Sequence, residues 1–121
     1  ARMEAWKKEQ LTAAGVDVHG ALERFMGNEA LLERMLQRFT GDANYAQLLA
    51  AADKRDAEEA LRAAHTLKGM TGNLSMTALC SLFTRQVELL RAGDPDGAYA
   101  MLPEITLAYE RIVGAIGAIG R

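Results

Sequence analysis

The sequence predicts an all-α protein, an antiparallel four-helix bundle with additional short N-terminal helices. Three observations carry that prediction. Ala and Leu abound while only two prolines occur in 121 residues, a balance that favours helix. Apolar residues recur at spacings of three and four rather than alternating. Aromatic residues make up 6% of the chain, and they and the β-branched residues are too scattered to build a large sheet. A chain of this length holds one domain with one core.

The elements follow in order. Glu4 to Ala14 reads as a short helix stopped by Gly15, with Trp6 as its packing anchor and Leu11 and Ala14 completing an apolar side. Asp17 caps a short helical turn carrying Ala21, Leu22, Phe25 and Met26, because its carboxylate can accept from the free N–H groups of the first turn. Gly27 ends that turn and Asn28 caps the next helix. There Leu32, Met35, Leu36 and Phe39 form one stripe. Gly41-Asp42 interrupts it, and Tyr45, Leu48, Leu49 and Ala52 resume it, as one bent helix or two short ones. Asp56 caps a further helix with Glu58 and Glu59 in its first turn, where the helix dipole favours acids. That helix carries His65 and ends near Gly72-Asn73. Met76, Leu79, Cys80, Phe83, Val87 and Leu90 mark the next, closed by Gly93. Asp94-Pro95 restarts the chain as N-cap and first helical residue. The last helix runs towards Ile119, bent or briefly interrupted before Pro103, whose ring removes a backbone hydrogen bond. The glycine-rich segment Gly114 to Gly120 is expected to fray. The single domain thus divides into an N-terminal helix at 1–14, a bundle region at 17–119 and a frayed tail at 120–121.

Charge and composition exclude several functions. The formal net charge is −2, against the basic patches that non-specific nucleic-acid binding needs. One cysteine, Cys80, allows no internal disulfide and fits a reducing cytoplasm; its place on an apolar stripe makes it a core residue rather than a nucleophile. No apolar run approaches the ~20 residues of a membrane span, and no signal peptide is evident. His19, in a loop setting, is incidental. The acidic residues have no Glu-x-x-His partner, so a metal or cofactor enzyme built into the bundle is not supported.

The chemistry concentrates in Ala64-His65-Thr66-Leu67-Lys68-Gly69-Met70-Thr71-Gly72-Asn73-Leu74. At roughly 100° per residue, Ala57, Ala60, Leu61, Leu67 and Thr71 fall within about 60° of Ala64, forming an inward stripe. His65 then lies about 100° from the stripe's centre, at the edge of the core, with Lys68, Gly69 and Gly72 on its flank. An imidazole there has one side near a neighbouring helix and the other in water. A hydrogen bond to one ring nitrogen would leave the other free for attack, and Gln86 on the next helix is the expected partner. Lys68, one turn on, would stabilise a dianionic phosphoryl group. Gly69 and Gly72 cost helix stability and clear the approach to the ring; Gly72 also serves as a helix-end residue.

This run, with Gly15-Val16-Asp17-Val18 and Ala21 to Asn28 before it, resembles the histidine phosphotransfer (HPt) domains of two-component phosphorelay signalling. Ser75 departs from the pattern, where many relatives carry a further glycine. The resemblance implies a cytoplasmic, monomeric phosphocarrier, either stand-alone or a domain of a hybrid sensor histidine kinase. His65 would take a phosphoryl group from the aspartyl phosphate of a receiver domain and pass it to the receiver aspartate of a response regulator. Lys68 would stabilise the phosphate, and Gly69 and Gly72 would admit the partner. No cofactor is expected on this chain; Mg²⁺ would come with the receiver. There is no P-loop or other glycine-rich nucleotide loop, so the chain has no ATP site of its own. The alternative is an HPt-like interaction module that binds receivers without turning phosphate over.

Overall fold

The computed structural model describes residues 2–120. Among them the chain forms eight helices and no strand: α1 (Ala5–Ala14), α2 (Val18–Arg24), α3 (Glu29–Thr40), α4 (Asn44–Asp53), α5 (Ala57–Asn73), α6 (Thr77–Arg91), α7 (Pro95–Ala100) and α8 (Leu102–Ile119). The four N-caps read from the sequence are all in use. Asp17, Asn28, Asp56 and Asp94 accept from the backbone N–H of Gly20, Leu31, Glu59 and Gly97 at 2.9–3.1 Å.

The helix ends repeat one solution. Gly15, Met26, Arg55, Ser75 and Gly93 all have positive φ. The next residue in each case (Val16, Gly27, Asp56, Met76, Asp94) donates its N–H to the carbonyl five positions back at 2.8–2.9 Å. This closure satisfies carbonyls the last turn leaves unpaired, and it lets a new helix begin within a residue or two. Three of the five left-handed positions carry a side chain, which costs about 1–2 kcal/mol there. Met26 is 94% exposed, so it gains no packing in return. Met26→Gly is therefore expected to raise stability by about 0.5 kcal/mol once glycine's extra unfolded-state entropy is offset, read as a higher denaturant midpoint at unchanged slope.

The short links place consecutive helices side by side and antiparallel. α4 packs on α5, α5 on α6, α6 on α7 and α8, and α8 returns to α3, closing a four-membered ring in which α3–α4 and α7–α8 each count as one interrupted helix. α1 lies on α8 outside this ring, and α2 bridges α1 and α3. The break between α3 and α4 comes at Gly41 as expected, but Asp42 carries the restart: its Oδ1 accepts from the Asn44 backbone N–H at 2.8 Å. Tyr45 stacks on Tyr109 with centroids 3.7 Å apart and its hydroxyl meets Thr106 at 2.5 Å, tying α4 to α8. Leu32, Leu36, Phe39, Leu67, Phe83 and Ile116 are among the fully buried side chains of the common core.

Two expectations are corrected. Trp6 is 43% exposed, with Nε1 donating to Glu4 at 3.0 Å; α1 is anchored by Leu11, fully buried. The segment from Gly114 does not fray. It continues α8 to Ile119, because Ile112, Ile116 and Ile119 share a stripe at most 2% exposed. Burial of those branched side chains, about 1.5–3 kcal/mol each, exceeds the roughly 1 kcal/mol each glycine costs. Gly120 donates to the Ile116 carbonyl; Arg121, the rest of the expected frayed tail, lies outside the described residues. No helix among the described residues is long and apolar enough to cross a membrane.

Candidate functional site: an exposed histidine on the outer face of α5

α5 is built to pack closely on one side. Ala60, Ala63, Ala64, Leu67 and Thr71 are at most 1% exposed, and the alanines let α4 and α6 approach. The Thr71 hydroxyl is satisfied by the Leu67 carbonyl at 2.8 Å. Ala63, omitted from the sequence stripe, belongs to it, while Leu61 and Ala57 are only half-buried. The buried stripe is thus centred about 45° away from Ala64, on the side opposite His65, and His65 lies about 145° from it. The histidine is exposed and stands on the outer face of the helix, further out than the edge position read from the sequence.

That rotation accounts for the largest correction at the site. Gln86 does not orient His65. It is fully buried, and its Nε2 donates to the Ala98 carbonyl at 3.0 Å, joining α6 to α7. Its Oε1 has no partner among the described residues. The signal was legible: Leu79, Phe83, Gln86 and Leu90 step by three and four along the inner stripe of α6. Gln86→Ala should therefore cost about 1–3 kcal/mol of stability through the lost packing and the lost hydrogen bond to the Ala98 carbonyl, which keeps only the Met101 N–H at 3.3 Å. The loss should read as a lower denaturant midpoint at unchanged slope.

The other expected site residues, Lys68, Gly69 and Gly72, lie on the same flank of α5 as His65. Lys68 is half-buried one turn after His65 and forms no ion pair among the described residues. Gly69, one turn on and exposed, opens on empty space: a Cβ there would meet nothing within 4 Å. Gly72 lies two turns on, where a Cβ would sit 3.5 Å from Cys80 Sγ on α6, an ordinary contact. Gly72 is not the left-handed residue that ends the helix. Ser75 is, at φ 54, so the one departure from the family pattern falls on the position where glycine would be unstrained. Cys80 is half-buried, Sγ 3.6 Å from the Lys68 carbonyl.

On the other side of His65, Arg62 performs a task the sequence reading missed. Its guanidinium binds both carboxylate oxygens of Glu59 at 2.7–3.0 Å and reaches across to Gln47 at 2.6 Å and Asn44 at 3.3 Å on α4. The pairing lowers the Glu59 carboxyl below its ordinary range and raises the Arg62 guanidinium above its own. The clue was the Glu59–Arg62 spacing of three, which puts opposite charges on one face. Lys68 is thereby the ammonium beside the ring left without an acidic partner, while Arg62 is neutralised.

Among the described residues no three His, Cys, Asp or Glu side chains come together as a group that could hold a metal ion. His19 is exposed on α2 and 2.8 Å from Glu23, far from any comparable Lys-Gly setting. What α5 offers is a nucleophile with open access, a flanking cation and bare backbone one turn away.

A family model described as Hpt domain matches residues 29–115. No curated protein and no solved structure matches the chain. The match spans α3 to most of α8 and includes His65, Lys68, Gly69 and Gly72. The chain belongs to the Hpt domain family, phosphocarriers of histidine phosphotransfer in phosphorelay signalling.

Proposed function

We propose that His65 is the phosphoacceptor of a two-way carrier between receiver domains. The observation that carries this reading is the exposed His65 with bare, unobstructed backbone one turn on at Gly69. In the forward step the outer ring nitrogen attacks the phosphorus of a receiver's aspartyl phosphate. The nitrogen–phosphorus bond forms, the phosphorus–oxygen bond breaks, and the aspartate carboxylate leaves. The reverse step loads the aspartate of a second receiver, as expected of a stored covalent intermediate. The receiver brings Mg²⁺; this chain supplies the nucleophile, the Lys68 ammonium and a docking face with its side chains removed at Gly69 and Gly72. The protein works as a cytoplasmic monomer, alone or as part of a hybrid sensor kinase.

Lys68→Ala should slow transfer about fivefold, since one cation still in contact with solvent contributes about 1 kcal/mol. The loss should shrink at high salt. The deciding experiment is transfer from a panel of phosphorylated receivers to the purified chain. Acid-labile phosphate on the chain, passed on to a second receiver, supports the carrier. Receiver binding without transfer would instead favour an interaction module.

A further inference from the structure

Between α2, α3 and the last turns of α5 runs an open groove of about 850 Å³, within the ~300–1,000 Å³ typical of small-molecule sites. Phe25, Met35, Met70 and Leu74 give it an apolar floor. Arg24 and Arg38 also line it; both are exposed, and neither forms an ion pair among the described residues. The one carboxylate in the lining, Asp42, already accepts at Oδ1 from the Asn44 backbone N–H and side-chain amide at 2.8 and 2.7 Å. Two arginines less one aspartate leave the groove a formal charge of +1.

We propose that this groove binds an amphiphilic monocarboxylate of the fatty-acid type. The apolar floor takes the tail, because the half-buried Phe25, Met35 and Met70, left partly in contact with water above the buried Leu74, gain from covering. Methionine suits a flexible chain, since its unbranched thioether adapts to irregular contours. The head goes to the guanidiniums, whose planar forks match a carboxylate. The net positive charge selects an anion over a neutral or cationic amphiphile. Neither the fold nor the phosphoacceptor chemistry accounts for two uncompensated arginines over an apolar trough.

The test uses the whole chain and three probes: decanoate, decanol and butanoate. Decanoate is expected to bind saturably below its micellar range. Its NMR shift changes should be confined to Phe25, Met35, Met70, Leu74 and the Arg24 and Arg38 side chains. Decanol lacks the head and butanoate most of the tail, so each should bind at least about tenfold more weakly, the loss of one charge-assisted contact or of several buried methylenes. Arg24→Gln with Arg38→Gln should weaken decanoate about tenfold and leave decanol unchanged. Equal binding of decanol and decanoate would reduce the groove to an apolar patch and overturn the proposal. So would shift changes elsewhere on the surface, failure of decanoate to saturate, or tighter binding of an acidic amphipathic peptide to the same residues with none of decanoate.

Discussion

Replacing His65 by Gln is expected to abolish phosphorylation of the chain while leaving its stability within about 0.5 kcal/mol of the parent, as for surface changes away from structural contacts. The two halves rest on one observation. His65 is exposed, and the amide expected to hold it, that of Gln86, is engaged with Ala98 on α7. Removing the imidazole therefore opens no cavity and strands no donor, and glutamine is the better helix former of the two. Chemically nothing replaces the ring, because an amide nitrogen has no free lone pair with which to attack phosphorus. The measurement pairs a thermal melt with labelling from a phosphorylated receiver. His19→Gln is the control and should label like the parent. Label that persists in the His65 variant would place the acceptor elsewhere and remove the proposed function.

Gly69→Leu should separate stability from function in the opposite sense. A Cβ at Gly69 meets nothing within 4 Å, and the position lies inside α5. Leucine there adds helix propensity of about 0.8 kcal/mol from an exposed position with an unobstructed Cβ, so the melt should rise. The same side chain stands one turn from His65 on its flank, in the space a receiver's active-site rim would enter. Group transfer needs the reacting atoms within about 3–3.5 Å, and a displacement of about 1 Å can cost 10²-fold. Transfer should fall at least about tenfold, with alanine at the same position giving a smaller loss. A more stable chain that transfers slowly would show that the glycine serves the partner's access rather than the fold. Undiminished transfer to the leucine variant would show that the partner approaches from another side.

Much of the bundle was legible because it rests on local physics. Asp17, Asn28, Asp56 and Asp94 cap helices because a short acceptor two or three residues before free N–H groups acts whatever surrounds it. The break at Gly41 and the restart at Pro95 are of the same kind. What was misread depends on neighbours. Trp6 looked like an anchor by its size, yet α1 turns Leu11 inward and leaves the indole at the surface. The glycines near the C-terminus looked like fraying signals, yet Ile112, Ile116 and Ile119 seat that turn in the core. At the site, His65, Lys68, Gly69 and Gly72 were found together because all four lie on one helix, whose period fixes their relation. Gln86 was misassigned because its relation to His65 runs between two helices.

Caps, propensity and a period of 3.6 residues are enough to read an α-helical chain, its start signals and the His-x-x-Lys-Gly-x-x-Gly order along α5 from the residues alone. How far α5 is turned about its own axis depends on the packing of its neighbours. Ala63 is fully buried while Leu61 is only half-buried, which swings His65 from the edge of the core out to the open face. Helical periodicity fixes angles between residues of one helix but leaves the zero of that angle to whatever the neighbouring helices bury.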